Sequence, residues 1–408
     1  MERCSLILRS IVLFVAYFVG QSARTQVFEW EPRSPMPEGR WGASTFVIDS
    51  VAYVVGGRSG SLDRVEMFAY NLGSDTWSEK APIPAARRLA AAFVLNGKGY
   101  ISCGLVGTST KLDDLWEYNP VTDSWSQRAD FPGQDRYGTY HFALGGYGYV
   151  GGGNIGSSSG PFLSDAFRYD PETDTWTTAI GLPDLPRHGT SSFVMNGKAY
   201  VFGGKESSLA FSPDLWVFDP VTQEWDLLAP FPATPRSSPL AFVFANDAVI
   251  GCGRTETVNL YDVWFYDPLS DDWGGAPAYP GESSLAGTSF SINGRAFGGL
   301  GWVLETNASA SDLWELVKPS SNGILEPGGS ATATCHPNPI LSGQRLSIAQ
   351  LNVPSLRAEL FDGQGRSLWQ GRVDDGQLTL PSGLHGSLIL KLTADQRSWS
   401  ARLSVLPN

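Results

Sequence analysis

Five arginines are the residues of this 408-residue chain whose type and spacing could do chemistry. Arg40, Arg87, Arg136, Arg187 and Arg236 follow Trp30, Trp77, Trp125, Trp176 and Trp225 by 10, 10, 11, 11 and 11 residues. A guanidinium is a planar fork of donors that can grip a carboxylate through two parallel bonds. Five of them at one repeated position predict either a cationic cup for acidic ligands or a set of ion pairs, each to an acidic residue of the neighbouring blade, that serves the fold. The equivalent position after Trp273 is Ser284. Tyr137 and Trp302 stand in or beside variable loops, where binding surfaces tend to lie, and join the arginines as candidate ligand contacts.

Other chemistry is not offered. Between residues 27 and 318 the only histidines are His141 and His188, each read as a loop or core hydrogen-bonder, and two histidines give no metal-ligand triad by spacing. No nucleophile elbow, phosphate loop or dinucleotide fingerprint occurs. The sequence therefore predicts no catalytic residue, no metal and no cofactor. With 29 Lys+Arg against 41 Asp+Glu, the formal charge of −12 disfavours a binder of nucleic acid or of an anionic membrane surface. Cys103, Cys252 and Cys335 include no CxxC pair, which excludes a disulfide scaffold and a thiolate zinc site.

The elements that must position these residues come in six repeats. The tryptophans, continued by Trp273, are spaced 47, 48, 51, 49 and 48 residues apart. Each is followed 27 or 28 residues later by a glycine, at 57, 104, 153, 204, 253 and 301. That glycine closes an apolar run such as YVVGG (53–57) or YVFGG (200–204). A second aromatic block follows, such as LWEYNP (115–120) or LWVFDP (215–220), and Asn196-Gly197 between two apolar runs reads as a hairpin turn. Four short strands in about 48 residues make one blade, and blades that cannot bury both faces alone must stack in a ring.

The diglycine, the following aromatic pair and the Pro-x-x-Arg or Pro-Arg step resemble the kelch family of β-propellers over residues 27–318. Cys103, Cys252 and Leu300 replace the first glycine in three repeats. The sixth repeat ends at Asp312-Leu313-Trp314-Glu315-Leu316 without a tryptophan strand, while Phe28-Glu29-Trp30-Glu31-Pro32 begins the chain with one. The amino-terminal strand is therefore expected to complete the sixth blade. The fold class is all-β: a six-bladed kelch-type propeller plus a small C-terminal antiparallel β-sandwich.

The ends read as addresses. A charged start, the apolar run Ile11–Val19 and the small residues after it predict a signal peptide over 1–23, too short to span a membrane stably. A small-residue linker occupies 319–334, and strand alternation resumes over 335–408. Pro337-Asn338-Pro339, the Leu-Phe-Asp-x-x-Gly-Arg run at 360–366 and the block at 384–392 resemble the type A sorting domain of the type IX secretion system. That resemblance implies the type IX machinery as a partner and export across the outer membrane, to the medium or the cell surface. The residues favour a propeller that binds a protein or glycan, acidic if the arginines face it, over an enzyme. An acidic-sugar mutarotase or epimerase, resembling the six-bladed sialic-acid mutarotases, and a structural envelope module are the alternatives.

Overall fold

The computed structural model describes residues 28–318 apart from 245–246, 283–284 and 305, together with the strands named below and a few connecting residues within 334–406. The signal-peptide reading over 1–23, most of the linker and Pro337-Asn338-Pro339 lie outside the described residues.

Each repeat is a four-stranded antiparallel sheet. Blade one runs Ser44–Ile48, Val51–Val55, Met67–Asn71 and Thr76–Lys80. The first strands of the next five blades are Ala91–Leu95, Tyr140–Leu144, Ser191–Met195, Leu240–Phe244 and Thr288–Ile292. Hairpins join the first two strands as the Asn-Gly rule requires: Met195 pairs with Lys198, and Asn196 and Gly197 take φ of 52° and 73° between them. Blade six is closed by the opposite end of the chain, because Glu29–Arg33 pairs antiparallel with Ala308–Val317 and sets Trp30 against Leu316. Glu315 reinforces this seam by binding Arg33 and Arg295.

Alternate residues of each sheet pack against the next blade, so the core lies in the seams between blades. Phe46 and Tyr53 of blade one stack with ring centroids 5.3 Å apart and meet Tyr118 of blade two. Phe93 and Tyr100 meet Tyr169 in the same way one seam on. A Cβ on Gly148 would fall 2.3 Å from the Phe93 ring, so only glycine allows that contact. Each repeated tryptophan donates its indole N–H to a carbonyl just beyond the preceding tryptophan strand, as in Trp77 to Ser34 (2.8 Å) and Trp30 to Pro277 (3.0 Å).

At the axis, the residue two before each first strand adopts left-handed backbone: Gly42, Leu89, Gly138, Gly189, Ser238 and Ala286. Their N–H groups donate around the ring to the same residue of the preceding blade, with five such bonds of 2.6–2.9 Å among the described residues. Serines sew the seams below this belt: Ser44 donates to the Ala90 carbonyl, Ser191 to Pro239, Ser192 to His141 and Ser289 to Ala241.

The C-terminal residues described are also β-structure. Thr334–His336, Arg345–Ala349 and Gln377–Thr379 form one sheet. Ile340–Leu341, Arg397–Leu406, Gly386–Ala394, Arg357–Phe361 and Ser367–Arg372 form another. This establishes strand pairing and does not by itself establish a sandwich or a sorting function. No helix among the described residues is long and apolar enough to cross a membrane.

Candidate functional site

The five predicted arginines lie in the blade walls, 0–2% exposed. Each Nη1 donates to the carbonyl of the first diglycine position 16 residues on: Gly56, Cys103, Gly152, Gly203 and Cys252. The Nε of Arg87, Arg136, Arg187 and Arg236 donates to the carbonyl two residues back, and side chains of the same blade, mostly acidic, take the other bonds. Arg87 grips Asp114 (2.7 and 2.7 Å), Arg136 grips Asp165 (2.6 and 2.9 Å) and Arg236 grips Asp262 (2.8 and 2.8 Å), all through both oxygens. Arg40 uses Glu38 and Glu66, and Arg187 uses Asp184 and Ser212. The backbone carbonyls of these arginines face the preceding blade and accept from its second glycine, as in Gly57 to Arg87 and Gly153 to Arg187. The expected open cup of arginines is thus not formed. The fold reading is corrected too, since the ion pairs stay within a blade while the backbone makes the link between blades. The missed signal was an acid just before the third strand of every repeat: Glu66, Asp114, Asp165, Asp214, Asp262 and Asp312.

What reaches the channel mouth is the residue immediately after each arginine, or after Ser284 in the sixth blade. Trp41, Arg88, Tyr137, His188, Ser237 and Leu285 each form a β-bridge to the residue after the diglycine: Arg58, Leu105, Asn154, Lys205, Arg254 and Trp302. The side chains run on from one blade to the next. Trp302 stacks on Trp41 (5.6 Å, 20° between planes), the Arg88 guanidinium lies 5.2 Å from the Trp41 ring, and Tyr137 and His188 meet edge to face at 6.3 Å. Asp63 is shared by Arg58 and Arg88, and Lys205 pairs with Glu256. Arg254 forms no ion pair among the described residues. Arg58, Arg88, Lys205 and Arg254 thus gather at this mouth together with Asp63 and Glu256. Tyr137 and Trp302 were singled out from the sequence and lie here; Arg58, Arg88, His188, Lys205 and Arg254 were not.

Two titratable groups stand together at the mouth. His188 sits 4.4 Å from the Phe162 ring, and its Nε2 is buried without a hydrogen-bond partner among the described residues. Burial, helped by the charges of Lys205 and Arg254, lowers its pKa to about 4, so the imidazole is neutral near pH 7. The Tyr137 hydroxyl accepts from Asn154 Nδ2 at 2.8 Å, which leaves its own proton to donate, and burial raises its pKa so that the proton is retained. Below the mouth runs a cavity of about 580 Å³, lined by the first strands and including His141 but none of the five buried arginines.

Residues 149–293 match the kelch-repeats domain described for KLHDC2, KLHL20 and DRC7. An F-box/kelch-repeat protein of Arabidopsis thaliana is 34% identical over 108 residues, 26% of this chain and 27% of that protein. The N-acetylneuraminate epimerase of Shigella sonnei is 35% identical over 83 residues, 20% of this chain and 23% of that protein. The chain thus matches about a quarter of the length of these curated relatives. The solved structure of YjhT superposes with a TM-score of 0.60 at 16% identity, covering 69% of this chain and 95% of that one. The fold is a six-bladed, kelch-type β-propeller. The preference for a binder without catalysis is corrected by the epimerase similarity, which points to an enzyme.

Wall and mouth arginines separate in a stability measurement. Arg136→Ala strands the Asp165 carboxylate and the Gly152 carbonyl and is expected to cost about 3 kcal/mol of unfolding free energy. Arg254→Ala, which breaks no ion pair, should change it by less than about 0.5 kcal/mol. Urea denaturation of both variants checks this, and wild-type stability in Arg136→Ala contradicts the buried role.

Proposed function

We propose that the propeller is a mutarotase or epimerase of an acidic sugar, acting at the cationic mouth. Anomer interconversion needs a base to take the proton of the anomeric hydroxyl and an acid to protonate the ring oxygen. The ring then opens to the carbonyl form, rotates and recloses with the protons returned. The His188 imidazole is the base, the Tyr137 hydroxyl is the acid, and Arg254 with Arg88 binds the carboxylate. The observation that carries this reading is the neutral imidazole of His188, edge to face with Tyr137 and within the field of Arg254, which forms no ion pair among the described residues. The similarity to the N-acetylneuraminate epimerase of Shigella sonnei supports it.

A protein- or glycan-binding role without turnover is the second reading, favoured by exposed Leu62, Leu209, Val258 and Leu304 on the connections beyond the diglycines. We also infer export, from the signal-peptide and sorting-domain resemblances; the test is whether deletion of 335–408 retains the protein inside the native cell.

Proton NMR of freshly dissolved N-acetylneuraminate follows the reaction directly. His188→Ala should slow anomer exchange by about 100-fold or more, while sugar binding without any acceleration by the wild type would favour the second reading. Because the His188 pKa in the folded protein lies below its ordinary 6.5, kcat/KM should hold from pH 7 to 5 and fall only as the imidazole protonates near 4. The same shift makes its contribution to stability fully present above 6.5 and lost as the pH falls from there to about 4. A fall in kcat/KM centred at 6.5 contradicts the assignment.

A further inference from the structure

Tyr137 and His188, the acid and base of the proposed reaction, both touch one hairpin. Blade three continues past its diglycine into the strands Asn154–Ser157 and Gly160–Phe162, whose root residues Asn154 and Phe162 are cross-strand partners. Asn154 is fully buried and bridges to Tyr137, while Phe162, 6% exposed, lies against the His188 imidazole. A Cβ on Gly156 would fall 2.0 Å from the Gly160 carbonyl oxygen, so the hairpin closes only with glycine there. Its tip is fastened to the same place: Lys205, the β-bridge partner of His188, donates from Nζ to the Ser158 carbonyl at 3.5 Å.

We propose that this root pair positions both groups: Phe162 covers the His188 ring so that Nδ1 is its working nitrogen, and Asn154 turns the Tyr137 hydroxyl so that its proton is free to give. The use of the two groups rests on the acidic-sugar reading, whereas their arrangement does not. A neutral imidazole has one N–H and one lone pair. Nε2 is the nitrogen sealed without a partner among the described residues. A sealed N–H beside an aromatic ring meets π density, whereas a sealed lone pair meets nothing that donates to it. The proton therefore sits on Nε2 and the lone pair on Nδ1. Nδ1 is turned to the axial side, since a Cβ on Gly138, which lines the channel, would stand 3.5 Å from it.

Asn154 acts through its own constraint. Its Oδ1 accepts from the Gly156 backbone N–H (2.7 Å), and its Nδ2 donates to the Ser157 carbonyl (2.6 Å). The amide cannot flip without losing both bonds, so in its bond to Tyr137 (2.8 Å) the hydroxyl must accept. The charges around His188 are Lys205 on its paired strand, with Arg254 and Glu256 of blade five. The two cations disfavour the imidazolium and Glu256 favours it, but burial is the largest influence, and Phe162 is the ring that supplies cover.

The test uses the full chain with isotope-labelled histidine, reads each imidazole nitrogen by NMR, and then follows anomer exchange of N-acetylneuraminate. In the wild type the neutral His188 ring should carry its proton on Nε2 and titrate near 4. Phe162→Ala should move that midpoint toward 6.5, and Phe162→Leu, which keeps the cover, should hold it low. Asn154→Asp offers the phenol an acceptor in place of a donor, so kcat should fall about tenfold or more with KM within about twofold. A proton on Nδ1 in the wild type, a midpoint that stays near 4 in Phe162→Ala, or wild-type kcat in Asn154→Asp overturns the proposal. Because the wild-type tautomer needs no substitution, poor folding of a variant does not shield the assignment. If the Phe162 results hold while the wild type accelerates no anomer exchange, the acidic-sugar reading fails and the positioning of His188 stands.

Discussion

Everything in this propeller hangs on a buried guanidinium fastened to a diglycine. The side chain of Arg136 binds the Gly152 carbonyl and Asp165 of its own blade, while its backbone carbonyl accepts from Gly104 of the blade before. One residue thereby fixes the third strand, the end of the second strand and the seam. Charge is removed from water only where an acid and a carbonyl await it, the condition under which a buried cation is tolerated. The arrangement also decides where chemistry can occur. With the arginine turned into the wall, the next residue is carried to the channel mouth in the five blades that have one.

Blade six shows what the staple does by lacking it. Its acid, Asp312, meets no guanidinium there and instead accepts from the Tyr279 hydroxyl (3.2 Å), the Trp314 indole (2.8 Å) and the Glu282 backbone N–H (3.3 Å). Burial and the nearby Asp312 charge push the Tyr279 pKa well up, so the phenol stays a donor. Leu300 holds the first diglycine position of that blade at φ 57°, as Cys103 and Cys252 do at 62° and 57° in blades two and five. A left-handed residue with a side chain costs roughly 1–2 kcal/mol. All three are fully buried, and their packing offsets that strain. The sixth blade gains its own compensation from Glu315, which ties both chain ends together.

The sequence made the ring legible because fold residues repeat. Tryptophan spacing, diglycines and the orphaned strand at 28–32 led to six blades closed by the amino terminus. The site was misread for the same reason. The arginines repeat because each blade needs one, and spacing alone does not distinguish a side chain turned into the wall from one turned to the axis. The acids before the third strands, present in all six repeats, carried the information that the charges were already matched. The functional position repeats in place but varies in type, from Trp41 through Arg88 and Tyr137 to His188, so no periodicity reveals it. His188 looked like an ordinary hydrogen-bonder because its environment comes from Phe162, Lys205 and Arg254, brought near only by folding.

The central claim is that repeated arginines build the wall and variable neighbours build the site. A crystal structure with N-acetylneuraminate bound tests it most directly. The account predicts a carboxylate within hydrogen-bond distance of Arg254, an anomeric oxygen against the His188 imidazole, and Arg40, Arg87, Arg136, Arg187 and Arg236 still bound to their own blades. A carboxylate held by any of those five guanidinium groups contradicts it.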